Sequence, residues 1–312
     1  KSKGNVLDPA WVVHGHRPAK MPAYGTDVLR LWAASTDFVA DVSVGPQRLE
    51  SVSQNMRKLR NTMRFMLGNL VDVPVSEAEA FAHRPTNPLD RYMLHLLYQW
   101  CTQVDEAYAS FNFHKVVNLL NTMTFTHLSS LYFEATKDRL YADTPDGVSR
   151  RSAQMTMSAI LGCFRRAIAP LLPHLAEEVH EFLPSKLHNT QPPPPSAFQI
   201  DWLPHTEHPH WNQPELVNPW NRVLILRREA QRALELAREH KLIGASLDAH
   251  IELVVYDESL WSALVELTLN SAELADVLVT SRVTLRRPIP DETTHLSQSS
   301  AHSLQSGEAT VS

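Results

Sequence analysis

Residues 46–70 read PQRLESVSQNMRKLRNTMRFMLGNL. Val52, Met56, Leu59, Met63, Met66 and Leu67 recur at three- and four-residue spacing, which predicts an amphipathic α-helix. Pro46 suits its first turn, where a missing N–H costs nothing. Arg57, Arg60 and Arg64 share a second face of the same helix, with Lys58 to its side. A basic stripe opposite an apolar one can follow a phosphate backbone. A solvated face is the competing reading. Asn61 and Thr62 are polar groups inside the helix, placed either to support packing or to touch a nucleic acid.

Outward from this helix the pattern repeats. Helices are expected over about 88–108, 114–137 and 149–168, and a proline-interrupted continuation over 169–183. Long helices joined by short turns predict a mainly α chain built as an antiparallel helix bundle. Upstream, VLDPAWVVHGH (6–16) and YGTDVLRLWAAST (24–36) each suggest a short helix. Downstream, PSKLHNTQPPPPSAF (184–198) reads as a Pro-rich connector. A helix over about 219–240 follows. AHIELVVYD (249–257) alternates like a strand, SLWSALVELTL (259–269) is helical, and ADVLVTSRVTL (275–285) suggests a second strand. The expected divisions are a leading segment at 1–45, the bundle at 46–184 and a linker at 185–218. A small α/β unit at 219–287 and an unstructured Ser/Thr/His/Gln-rich tail at 288–312 complete the expectation.

The chain has 312 residues, enough for roughly two cores, and a net charge of −5. Residues 1–180 carry 19 Lys/Arg against 17 Asp/Glu, whereas residues 181–312 carry 10 against 17. Nucleic-acid binding therefore has to rest on local basic faces. No run of about 18 apolar residues is present, which argues against a membrane span. The two cysteines, Cys101 and Cys163, fall in apolar helical patterns and read as reduced core residues. Without a CxxC, a cysteine zinc site cannot be built.

The first six residues, KSKGNV, pose a separate question. Lys1 and Lys3 flank Ser2, and Gly4 permits a sharp turn, which suits contact with phosphates. A frayed basic terminus is the competing reading, and no GxxxxGK[ST] loop is present. The order of motifs adds to it. KSKGNV is followed by YGTDVLRLWAASTDF (24–38), MRKLRNTMRFMLGNL (56–70), SSLYFEATKDRLY (129–141) and APLLPHLAEEV (169–179). Over residues 1–287 this series strongly resembles the class I aminoacyl-tRNA synthetases of the isoleucine, valine, leucine and methionine group. YGTDVLRLW, STDF, SVG and the late KLIGASLDAHIEL (241–253) look most like the isoleucyl branch, in its mitochondrial form.

The resemblance implies that Lys1 and Ser2 are the last two residues of the KMSKS loop, so that the chain begins as a C-terminal fragment. A Rossmann domain with the HIGH motif and an editing insertion are then expected upstream. Lys1 would contact ATP and stabilise negative charge on departing pyrophosphate, with Ser2 supporting the loop. Mg²⁺ is implied with the ATP. The helix of residues 46–70 would sit in the anticodon-binding bundle, making Arg57, Lys58, Arg60 and Arg64 tRNA contacts. The implied partners are tRNA-Ile, isoleucine and ATP, in a monomer without a membrane segment, located in the mitochondrial matrix or alternatively the cytoplasm. The implied activity is isoleucine–tRNA ligation, which this portion alone would not catalyse. A valyl or leucyl ligase and a non-catalytic tRNA-binding module are the alternatives. Two departures stand out: the cysteine-rich zinc module found at the end of many isoleucyl enzymes is missing, and the residues after Pro290 match nothing in the family.

Other basic and aromatic groups carry blander expectations. KDRLY (137–141) places cations at a helix C-terminus, where they complement the dipole. The pairs Arg150-Arg151 and Arg165-Arg166 read as solvated faces ahead of tRNA contacts. His205, His208 and His210 lack the carboxylate or cysteine pattern of a metal site. Trp100, Tyr108, Phe111, Phe113, Tyr132 and Phe133 read as core.

Overall fold

The structure, a computed structural model, describes residues 7–17, 21–37, 39, 42–73, 85, 87–188, 192–267 and 269–288. It also describes the backbone of two short strands at 303–305 and 308–311. The chain is mainly helical. Helix α1 is Pro9–His14, α2 is Thr26–Ala34 and α3 is Pro46–Asn69. Helix α4 is Pro88–Ala109, and its N-terminus is capped by the Asn87 side chain, which accepts from Leu89 N at 3.0 Å. Proline opens α1, α3 and α4, as the sequence predicts for α3.

The helix expected over 114–137 is longer and not uniform. It runs as α5 (Phe113–Thr122), a π-helical segment (Met123–Tyr132) and α6 (Phe133–Tyr141). Helix α7 (Val148–Ile168) is the axis of the bundle and is buried nearly all round from Ser152 onward. A helix with no solvated face is a core helix. Its neighbours are α3, α4, α6 and α8 (Pro173–Phe182).

Two of the motifs quoted above meet here. Helix α8 has Leu172 at its N-cap and no cap from its own side chains. The missing acceptor comes from α2: buried Asp27 takes Leu175 N at 2.8 Å and His174 N at 3.4 Å. One turn on, Arg30 donates to Leu171 O at 2.9 Å and Pro170 O at 2.8 Å. Thus GTDVLR and APLLPHL form one joint, with α2 clamped across the α7–α8 corner.

The Pro-rich stretch at 185–218 is no loose tether where it is described. It runs as short 3₁₀ turns against the bundle. Trp211 and Leu187 are fully buried, Trp202 Nε1 donates to Asp105, and Arg91 donates to Gln213 Oε1 at 2.6 and 3.0 Å. Helix α9 (Val217–Glu239) continues the packing, with Trp220 stacked on Tyr92 at 5.0 Å.

The C-terminal unit is β1 (His250–Val254), α10 (Glu258–Glu266), α11 (Ser271–Leu278) and β2 (Arg282–Arg286). β1 and β2 pair in parallel, His250 opposite Arg282 and Val254 opposite Arg286. The expected strand at 275–285 is therefore only half strand. Its first half belongs to α11, because Asn270 and Glu273 form a capping box: Asn270 Oδ1 accepts Glu273 N at 3.0 Å, and Glu273 Oε2 accepts Asn270 N at 3.0 Å. Most of the expected tail lies outside the described residues. Within it, β4 (Glu308–Val311) pairs in parallel with the free edge of β1, and β3 (Ser303–Gln305) pairs antiparallel with β4. One apolar core runs from Leu31 through the bundle to Val283 in β2. A small second cluster, Val12, Met21 and Leu49, joins α1 to α3.

Candidate nucleic-acid interface

Helix α3 divides as its sequence predicts. Leu49, Leu59, Met63 and Met66 are buried, and Thr62 is buried with them. Arg57, Lys58, Arg60 and Arg64 all face solvent. The structure then separates these four. Arg60 is committed to Glu178 of α8, with its Nε 3.0 and 3.1 Å from the two carboxylate oxygens. Lys58 Nζ lies 5.2 Å above the ring of Phe125, within cation–π range. Arg57 and Arg64 have no partner among the described residues. Of the basic stripe, these two are the cations without an internal partner among the described residues.

Beside this face is an open groove of about 500 Å³. From α3 it takes Lys58, Asn61, Thr62 and Phe65; from the π-helical segment it takes Phe125, Ser129 and Ser130, with Phe133 at its end. Phe65 and Phe133 pack with centroids 4.3 Å apart and planes tilted by 32°. An aromatic floor, hydroxyl and amide groups, and a lysine at the rim form a platform on which a flat heterocycle can stack while its edge meets hydrogen-bonding groups. Asn61 and Thr62 both line the groove but differ in burial. Thr62 is buried among the apolar residues of α3, and Asn61 is exposed. Phe125, Ser129 and Ser130 are absent from the sequence-based candidates, because a helical period cannot show that the π-helical turn brings them beside α3.

Several basic groups expected on the surface are inside. Arg139 of KDRLY does lie in the last turn of its helix, as the sequence suggests, but it is buried there and forms a fork with Asp90, at 3.1 and 2.5 Å. Asp90 also accepts from Tyr132 Oη at 2.7 Å and Ser152 Oγ at 2.5 Å. Burial pushes the Tyr132 phenol well above its ordinary range, and the Asp90 carboxylate adds to the push. Arg165 and Arg166 are likewise buried, contrary to the solvated face expected for them. Arg165 Nη1 is 3.3 Å from His180 Nδ1, and Arg166 donates to Gly162 O and Asp201 O, both at 2.9 Å. The reason is common to all three. Helix α7 and the end of α6 are wrapped on every side by neighbouring elements. Arg150 and Arg151 are half-buried against Asp72, at 2.9 and 3.8 Å.

Among the aromatic candidates, Trp100, Tyr132 and Phe133 are buried as expected. Phe111 is 70% exposed instead, at the α4–α5 turn with φ of +54°. The chain reverses direction there, and the side chain points outward. His205 sits edge-on to Tyr98 at 5.5 Å, while His208 stacks on Trp211 at 4.8 Å. No group of three or more His, Cys, Asp or Glu is arranged to hold a metal among the described residues. None of the described helices is long and apolar enough to cross a membrane. Lys1 and Ser2 lie outside the described residues.

The chain is similar to known proteins. Residues 90–253 match the family described as the anticodon-binding domain of tRNA ligase. A protein of Microcystis aeruginosa named isoleucine–tRNA ligase is 41% identical over 266 residues, which is 85% of this chain and 27% of that protein. The isoleucine–tRNA ligase of Gloeobacter violaceus is 38% identical over 94% of this chain and 29% of its own length. A chloroplastic/mitochondrial isoleucine–tRNA ligase of Arabidopsis thaliana is 38% identical over 91% and 26%. The chain thus spans 26–29% of these relatives. A solved LeuRS–tRNA ternary complex from Agrobacterium radiobacter aligns with 58% of this chain and 20% of its own, at 18% identity and a TM-score of 0.38, too loose to place any element.

Proposed function

The chain belongs to the anticodon-binding domains of tRNA ligases, and from that premise we propose that it binds the anticodon arm of isoleucine tRNA across α3 and the adjoining groove. The observation that carries this is the arrangement of Lys58 over Phe125 to the side of the face that carries the two uncommitted arginines, Arg57 and Arg64. An unpaired anticodon presents base faces and phosphates together. The groove offers rings for the first and cations for the second. Asn61, with both a donor and an acceptor on one amide, is the group placed to read a base edge.

The relatives' names extend the proposal to an enzyme that activates isoleucine with ATP and transfers it to its tRNA, this portion supplying tRNA recognition. The roles of Lys1 and Ser2 toward ATP belong to the same proposal. A Lys1→Ala exchange in an enzyme carrying the catalytic domain, followed by pyrophosphate exchange, tests them. A mitochondrial or plastid compartment is also part of it, consistent with the organellar plant relative, and is tested by imaging the tagged full-length protein.

The direct test is binding of the chain to isoleucine tRNA, valine tRNA and an isoleucine tRNA with a changed anticodon, across a salt series. Preference for the isoleucine anticodon is expected. The double exchange Arg57→Ala with Arg64→Ala should reduce the slope of log affinity against log salt by about 0.7 per arginine. Equal binding to all three RNAs would remove anticodon reading from the groove, and no binding would end the proposal.

A further inference from the structure

One buried cation lies behind the groove and takes no part in its surface. Arg227 of α9 is 5% exposed. Its guanidinium faces two backbone carbonyls: Nη2 donates to Ser130 O at 2.6 Å, and Nη1 donates to Val277 O at 2.6 Å. Glu134 is the acidic group whose field reaches it, and Glu134 is itself paired with Lys137 at 2.7 Å. A buried guanidinium anchored on carbonyls from two different elements is a cross-brace, because its planar fork fixes both directions at once.

Both carbonyls lie where helical pairing is irregular. Ser130 lies near the end of the π-helical segment. There the pairing passes from i+5, with Phe133 N on Leu128 O, to the i+4 pairing of α6. Val277 lies in the last turn of α11, where carbonyls have no intrahelical partner. That helix ends on Val279 at φ +59°, a left-handed conformation that a β-branched residue resists. A cation at this end also complements the helix dipole. Arg227 therefore bonds the backbone at two irregular helix ends simultaneously. One of them, Ser130, is in the wall of the groove.

We propose that Arg227 is a positioning residue for RNA binding: it holds the π-helical wall that carries Phe125, Ser129 and Ser130 in register with α3, and ties that wall to the C-terminal unit. The inference rests on the groove being the RNA site. Arg227 touches no ligand itself. Without it, the segment is free to relax toward α-helical pairing, which rotates successive side chains and moves Phe125 from beneath Lys58.

The test uses the full 312-residue chain and a labelled anticodon-arm RNA of the isoleucine type, read by fluorescence anisotropy over a salt series. Wild type, Arg227→Met, Arg227→Lys, Phe125→Ala and the Phe125→Ala/Arg227→Met double variant are compared, each with its thermal unfolding curve. At temperatures where all are folded, Arg227→Met should bind at least about tenfold more weakly, with an unchanged salt slope because no phosphate contact is lost. Arg227→Lys should be intermediate. In the Phe125→Ala background the Met exchange should add less than about threefold, the non-additivity of groups acting through one another. Amide exchange over residues 126–134 should speed up in free Arg227→Met. A merely structural role would lower the unfolding temperature and leave the affinity of the folded protein alone. Binding by folded Arg227→Met within about twofold of wild type overturns the proposal, as does a full additive effect in the Phe125→Ala background. If Arg227→Met does not fold, Arg227→Lys is judged against wild type by the same twofold limit. If wild type binds no RNA, the groove assignment itself fails, and the positioning role falls with it.

Discussion

A charge taken out of water has to find its counter-charge inside, and Arg139 finds Asp90. The carboxylate is fully buried and receives the guanidinium fork, a phenol and a serine hydroxyl, which tie α4, α6, α7 and the end of the π-helical segment at one point. Such a cluster is costly to assemble and more costly to break. Asp90→Ala strands Arg139 as an unpaired buried cation, and about 3–5 kcal/mol of stability should be lost in urea unfolding. A double exchange to Asp90→Ala with Arg139→Met should lose less than Asp90→Ala alone, because the stranded charge is gone. If the double variant is the less stable of the two, the loss comes from packing and the electrostatic account is wrong. Nothing in the local sequence announces this pair. Asp90 looks like a first-turn acid and Arg139 like a last-turn cation, and both descriptions are true of their helices. That they are 49 positions apart in sequence and in contact in space is a property of the fold. The same holds for Arg165 and Arg166, whose burial follows from α7 being enclosed.

At the scale of elements, the helices of the bundle were legible because their apolar positions keep a helical period for many turns. The irregular joints were not. Leu128, Leu131 and Tyr132 of the π-helical segment keep the three- and four-residue spacing of an α-helix, so its wider turn leaves no mark on the period. Helix α11 was partly mistaken for strand because Val277 and Val279 favour that reading, although the N-x-x-E capping box at Asn270 and Glu273 was available to correct it. The α2–α8 joint is the instructive case. GTDVLR and APLLPHL were visible as strings and supported the resemblance, but Asp27 and Leu175 are 148 positions apart. Asp27 acts as a helix cap donated from another helix. Asp27→Ala should cost about 1–2 kcal/mol. The effect should be concentrated locally, as faster amide exchange at the start of α8 and in α2, with the centre of α7 still protected. Uniformly faster exchange throughout the bundle would show instead that α2 is integral to the global fold.

The whole molecule is held as one body by the seam between bundle and C-terminal unit. At that seam Asp276 of α11 is held near Asp138 and Arg139 of α6, with Glu273 on its own helix. Burial comes first in raising its carboxyl to about 6, and the neighbouring Asp138 carboxylate adds to it against the opposing pull of Arg139. A carboxyl whose folded value lies above its unfolded one favours the folded state when protonated. Stability from this group is therefore present at low pH, is lost as pH rises from about 4 to about 6, and stays lost above that. Asp276 is only part-buried, so solvent screening reduces the effect to about 1 kcal/mol at neutral pH. Asp276→Asn removes the ionisation and should stabilise the protein by about that amount at pH 7.5, with the advantage over wild type shrinking toward zero at pH 4. Urea unfolding of the two proteins at both values, taken as a difference, cancels the other titrating groups. An advantage that is constant across pH would mean that the asparagine gains a hydrogen bond. A deficit at pH 7.5 would mean that Arg139 needs the second carboxylate, and that the seam is held by charge attraction across it.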